Sequence, residues 1–203
     1  MTKKTLFILS MLSSFQGTYL SASIAPKSLK TKKTSCKELI KDLEKKHGIP
    51  DNLLHAIAHV ESKIHPWAVN AQGKSRFFST KEQAVHFAQS LKQKKVKNIG
   101  VGCMQINLTS HGNKFKSLSD AFEPTNNIAY SAKLLKSLYD RFGTWQRAVE
   151  FYHTANPRYH VAYRARVYRV WNKAEGLPDS EKVIKNRLKV GFGPGIGIKN
   201  RLD

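Results

Sequence analysis

The 203-residue sequence predicts a mainly α-helical domain with one small extended element. Apolar residues recur three and four apart in six separate segments, which is the period of one helix face. Helix start and stop signals flank several of those segments: Ser or Thr followed three residues later by Glu, and Gly just past the end. Only Val101 to Leu108 reads as extended.

Ser35-Cys36-Lys37-Glu38 is a capping box, and Leu39, Ile40 and Leu43 share a face before Gly48 ends the helix. Cys36 precedes Leu39 and Ile40 by three and four residues, so its sulfur is expected in the core. Pro50 is expected to start a second helix that runs through Leu53, Leu54, Ile57 and Glu61. The stretch from Asn70 to Gly100 is mostly polar. Within it, Ser79-Thr80-Lys81-Glu82 caps a short helix with Ala84, Val85, Ala88 and Leu91 inward. The pair Phe77-Phe78 is left open between a hairpin and a groove wall. Three more helices are expected, over Thr125 to Arg141 (Ile128, Ala132, Leu135, Leu138, Tyr139), Thr144 to Tyr152, and Arg158 to Ala174 (Tyr163, Val167, Val170, Trp171). Gly176-Leu177-Pro178 stops the last one.

The ends differ in composition from this middle. Lys3 and Lys4, the apolar run Leu6 to Leu12 and the small residues Ser21-Ala22-Ser23 have the three-part order of a signal peptide. Residues 1–23 are therefore expected to be cleaved on export, 24–34 to form a basic linker, 35–176 the domain, and 177–203 a flexible basic tail. No apolar run is long enough to span a bilayer. The formal charge of +21, from 35 Lys and Arg against 14 Asp and Glu, calls for a polyanionic partner. Nucleic acid and an anionic cell envelope both satisfy it. Export would place the two cysteines, Cys36 and Cys103, in an oxidising compartment, where one disulfide would add about 3–5 kcal/mol. Two buried free thiols are the alternative. Neither cysteine has zinc-ligand spacing.

Glu61 shares a helix face with Leu54 and Ile57, so its carboxylate is expected toward the interior, where desolvation raises a carboxyl pKa into the range of a general acid. A helix-end salt bridge with nearby Lys fits the helix equally well. His55 and His59 stand four apart, but Ala56 occupies the place of a zincin's Glu. Tyr159, Tyr163, Tyr168 and Trp171 interleave with Arg158, Arg164, Arg166 and Arg169. Core spacing favours buried rings and solvated arginines over a nucleic-acid surface.

The run Leu53-Leu54-His55-Ala56-Ile57-Ala58-His59-Val60-Glu61-Ser62, followed by Pro66-Trp67-Ala68-Val69-Asn70, resembles the catalytic segment of the soluble lytic transglycosylases. Gly102-Cys103-Met104-Gln105-Ile106-Asn107 is similar to that family's Gly-Leu-Met-Gln run. Phe122-Glu123-Pro124 with Asn127-Ile128, and Ala148-Val149-Glu150-Phe151-Tyr152-His153, continue the family's order. The resemblance covers about Cys36 to Trp171 and implies a lysozyme-like α-helical domain of the goose type, with a small extended element and a substrate groove. It implies that Glu61 is the sole acid and base, that Gln105 and Asn107 line the sugar groove with Met104 packed beneath, and that the Tyr152 hydroxyl lies close to Glu61. Ser62 follows Glu61 as in the family and would support that helix end; Asn70 stands where many members have serine and His153 where they have asparagine. Ser62, Asn70, Met104, Gln105, Asn107, Tyr152 and His153 are thus the expected substrate-binding set. Ser131, Leu134 and Cys103 also depart from the usual residues, and the stretch from Glu61 to Gln105 is longer. The combination is similar to a subgroup from Gram-negative bacteria.

Implied with the family is cleavage of peptidoglycan between N-acetylmuramic acid and N-acetylglucosamine, leaving a 1,6-anhydro sugar, without cofactor or metal. Glycan strands and the anionic envelope would be the partners, with a secretion or other envelope-spanning apparatus a further one. A monomer in the periplasm or outside the cell is expected, with no nucleic-acid partner. A hydrolytic lysozyme of the same fold and a non-catalytic basic envelope or nucleic-acid-binding protein are the alternatives.

Overall fold

The structure is a computed structural model that describes residues 35–178. The expected signal peptide and linker, and all but the first two residues of the expected tail, lie outside the described residues.

Helix α1 (Cys36–His47) opens on the expected capping box: the Ser35 hydroxyl accepts from Glu38 N, and the Glu38 carboxylate accepts from Ser35 N at 2.9 Å. Gly48 ends it in the left-handed region at φ 60°. Helix α2 (Leu53–Ser62) begins three residues later than Pro50 suggests, because Asn52 has φ 63° and breaks any earlier helix. Asn52 gives α2 no side-chain cap. The buried carboxylate of Glu44 on α1 serves instead, accepting from Asn52 N at 3.1 Å and His55 N at 3.0 Å. Burial pushes the Glu44 carboxyl up to about 7, against the pull of those backbone donors.

The polar stretch that follows holds a β-hairpin, β1 (Ala68–Ala71) and β2 (Lys74–Phe77). Its two-residue turn, Gln72 and Gly73, has positive φ at both positions, the geometry that suits the twist of a tight hairpin. Phe77 therefore ends a strand and is half exposed, while Phe78 packs on Phe87. Helix α3 (Lys81–Gln93) is capped by the Thr80 hydroxyl, one residue after the expected Ser79. The expected extended stretch is two strands, β3 (Gly100–Val101) and β4 (Ile106–Asn107), around a tight turn. All four strands form one antiparallel sheet in the order β2-β1-β3-β4.

Two short helices, α4 (Leu108–His111) and α5 (Leu118–Phe122), have no counterpart in the sequence reading, being too short to show a period. Helices α6 (Pro124–Phe142), α7 (Trp145–His153) and α8 (His160–Ala174) fall where the period places them. The chain is thus mainly helical with a small antiparallel sheet, as the sequence predicts. No helix among the described residues is long and apolar enough to cross a membrane.

Packing divides the domain into two cores. Helices α1, α2, α6, α7 and α8 close over Ile40, Leu54, Ile57, Ile128, Leu135, Trp145 and Tyr163. The sheet, α3 and α5 close over Val69, Ala84, Ala88, Ile99, Val101 and Phe122. A disulfide joins Cys36 to Cys103 across 67 residues, tying the start of α1 to the turn between β3 and β4. A loop of that length is worth about 4 kcal/mol by chain entropy. In α8, Tyr163, Val167 and Trp171 are buried as their spacing requires and Val170 partly so; Tyr168 is buried as well, whereas Tyr159 is exposed. Arg164 is not on a solvated face, however: it pairs with the buried Glu150.

Candidate active site

An open cleft of about 600 Å³ is lined from both cores. Glu61 comes from the last turn of α2, Leu134 from α6, and Phe151, Tyr152 and His153 from the end of α7. Facing them are Asn70 on β1, Asn98 before β3, and Gly100, Gln105, Ile106 and Asn107 on the β3–β4 unit.

Glu61 has a side chain only 15% exposed. The Tyr163 hydroxyl, 102 residues away in sequence, donates to its Oε1 at 2.7 Å. His153 Nδ1 stands 3.8 Å from the same oxygen, and the His153 ring lies flat on Tyr163, with centroids 4.2 Å apart and 6° between planes. Burial first, and then the charge of Glu61, pushes the Tyr163 phenol well above its ordinary range, so it stays a donor. The end of α2 is fixed just behind the carboxylate. Lys63 and Ile64 both take positive φ, a strained choice for a β-branched residue. Schellman-type bonds from their amides to His59 O and Ala58 O hold them there.

Ser62 is buried and does not line the cleft. Its hydroxyl donates to Cys103 O at 2.6 Å and accepts from His65 N at 3.0 Å, so it couples the end of α2 to the β3–β4 turn. Met104 is likewise fully buried, in the helical core beneath Gln105. These two members of the expected substrate-binding set stand behind the surface, Ser62 supporting it through its hydrogen bonds and Met104 through its apolar bulk. The Tyr152 hydroxyl, expected near Glu61, donates to Met104 O at 2.9 Å, and the hydrogen bond to the carboxylate belongs to Tyr163. The Tyr152 phenol is also pushed up, by burial and by the charge of Glu61.

Asn70, Gln105 and Asn107 do line the cleft. Asn70 Nδ2 donates to Ser75 Oγ across the hairpin at 2.8 Å. Asn107 caps α4 and donates to Asn98 Oδ1 at 3.3 Å. Gln105 has φ 50° and gives its amide hydrogens to Gly102 O at 2.9 Å and Ala68 O at 3.3 Å. Its Oε1 has no partner among the described residues, and a Cβ on Gly100 would lie 2.8 Å from it, so only glycine at 100 leaves this amide its place.

The β3–β4 turn is held from below by Asn127, fully buried on α6. It accepts from Met104 N at 2.9 Å and donates to Val101 O at 3.0 Å and Ala121 O at 2.9 Å. Gly102, at φ 79°, lies so close that a Cβ there would be 2.5 Å from the Asn127 amide. The quoted motifs contain two further carboxylates, and neither lines the cleft. Glu123 pairs with Lys81 at 3.1 Å, and Glu150 is buried against Arg164, Arg147 and His160. Glu61 is thus the one carboxylate among the described residues of the cleft wall.

Sequence reasoning missed Tyr163, Asn98, Asn127 and Glu44 as parts of this arrangement. One signal was available for Tyr163: a tyrosine at a core position brings a hydroxyl that needs a partner, which a phenylalanine would not. The model of a family described as the transglycosylase SLT domain matches residues 38–166, a span that includes every residue of the cleft and Tyr163. No curated protein and no solved structure matches the chain.

Proposed function

The chain belongs to the transglycosylase SLT domain family, and we propose that it is a peptidoglycan lytic transglycosylase in which Glu61 serves as both acid and base. The observation that carries this reading is the single carboxylate of the cleft wall, with a hydroxyl donor already on its Oε1. Glycosidases that hydrolyse by two carboxylates hold them about 5–9.5 Å apart across the bond. Here the described residues of the cleft offer one.

A lone acid suits chemistry that the substrate assists. Protonated Glu61 gives its proton to the oxygen between N-acetylmuramic acid and N-acetylglucosamine, and the C1–O bond breaks. The muramyl acetamido oxygen meets the charge that develops at C1. Glu61, now a carboxylate, takes the proton from the muramyl O6 hydroxyl as that oxygen bonds to C1, releasing the acetamide and restoring the acid. The product is a 1,6-anhydro sugar, and no water is consumed. In this scheme Tyr163 orients the carboxylate, and the amides of Asn70, Gln105 and Asn107 with the exposed edges of Tyr152 and His153 bind the sugars. Ser62 and Met104 keep the two sides of the cleft in register.

The excess of 35 basic over 14 acidic residues would hold the enzyme on the anionic wall, outside the cytoplasmic membrane and acting as a monomer. Mass spectrometry of the fragments released from purified sacculi tests the reaction. Anhydro ends are expected; reducing ends, one water heavier, would make the chain a hydrolase instead. Glu61→Gln is expected to stop release with folding intact, and continued release would remove Glu61 from its role. Sacculus binding is expected to weaken as salt is raised.

A further inference from the structure

The pair of rings beside Glu61 has more structure than sugar binding needs. His153 is the last residue of α7, and it meets groups from two other helices at once. Its ring face covers Tyr163 on α8 at 6° and 4.2 Å, while its Nδ1 faces Glu61 on α2 at 3.8 Å. Tyr163 is thus held on one side by the buried core and on the other by an imidazole, with the Arg166 guanidinium 5.7 Å from its centroid. The groups that face His153 are therefore the Glu61 carboxylate from α2 and the Tyr163 phenol from α8. An asparagine at 153 would have neither a ring to lay on Tyr163 nor a charge to offer Glu61.

We propose that His153 is a positioning residue for Glu61, pressing the Tyr163 phenol against the carboxylate and, in its imidazolium form, facing that carboxylate with a positive charge once Glu61 has given up its proton. This rests on Glu61 being the acid. His153 moves no proton in the scheme above; it acts through Glu61. The role has two separable parts. Stacking needs only a flat ring, and the charge needs the protonated imidazole.

The test is kcat and KM on soluble glycan fragments between pH 5.5 and 8 for the full chain, His153→Phe and His153→Asn, with melting curves for each. His153→Phe keeps the stack and loses the charge. It is expected to melt with the parent and to lose about tenfold in kcat at pH 5.5, the deficit shrinking as pH rises. His153→Asn loses both parts and is expected to stay about tenfold low at every pH. Parent-like kcat at every pH in either variant would overturn the proposal. Glu61→Gln, assayed alongside, separates the two readings: if it is inactive while both His153 variants match the parent, only the role of His153 fails, and if it is active the role of Glu61 fails first.

Discussion

At one wall of the cleft, Glu61 on α2 is met by His153 from α7 and, from behind the surface, by Tyr163 from α8, both within 4 Å of its Oε1. On the other, Asn70, Asn98, Gln105 and Asn107 present neutral amides from short strands and the turns beside them. The helical wall is backed by the larger core, with Ile57, Met104 and Trp145 fully or almost fully buried. The sheet wall is backed by a smaller core of alanines, a few β-branched side chains, Trp67 and Phe122. Charge sits where several helices can fix it from several directions. Hydrogen bonding to sugar is left to a thinner layer, whose amides are set by turns with positive φ at Gln72, Asn98, Gly102 and Gln105.

If the walls divide chemistry from recognition in this way, substitutions on each should fail differently. Replacing Glu61 by Gln should lower kcat by about 10³-fold, the scale of general acid catalysis, with the melting temperature unchanged. The joint between the walls comes next. Asn127→Ala leaves Met104 N, Val101 O and Ala121 O unsatisfied in the interior, and should cost about 3 kcal/mol. A denaturant titration that shifts by less than about 1 kcal/mol would show that the β3–β4 turn does not depend on it.

Glu44 tests the helical wall through its foundation, because it caps the helix that carries Glu61. Its folded pKa of about 7 lies above its ordinary 4.5, so the native state holds the extra proton in that window. The contribution is fully present below pH 4.5 and is lost as pH rises toward 7, by up to about 3 kcal/mol. Melting temperatures should therefore fall between pH 5 and 7.5 more steeply in the parent than in Glu44→Gln, and equal slopes would contradict the assignment.

Tyr163→Phe removes one donor to a charged group and keeps the ring, so kcat should fall about tenfold, or a little more, with little change in stability. The smallest effects are expected on the sheet wall. Asn107→Ala and Asn70→Ala should raise KM about three- to tenfold and leave kcat near the parent's. A kcat defect as large as that of Tyr163→Phe would erase the distinction between the walls.

The helical wall was also the legible one. Helices α1, α6, α7 and α8 announce themselves through apolar residues at three and four spacing, and α1 also through its capping box at Ser35 and Gly48 at its end. Glu61 stood out because it falls in a motif and shares a face with Leu54 and Ile57. The sheet wall was legible only in part, through the extended stretch Val101 to Leu108 and the motif residues Asn70, Gln105 and Asn107. Its strands are four and two residues long, too short for an alternation to register, and its turns place non-glycine residues such as Asn98 and Gln105 at positive φ.

Periodicity, capping residues and charge follow from nearest neighbours along the chain, and so the order of helices, the two cysteines available for pairing and the candidate acid could all be read in one dimension. Which hydroxyl reaches that acid could not. Tyr152 and Tyr163 both lie near Glu61; the family resemblance implies the first beside the acid, and spacing alone reads the second as core. Packing of α2 against α8 delivers the Tyr163 hydroxyl to Glu61, while the β3–β4 turn takes the Tyr152 hydroxyl for Met104 O. A hydrogen bond depends on distances of a few tenths of an ångström between atoms a hundred residues apart, and those distances are set by how whole helices seat on one another.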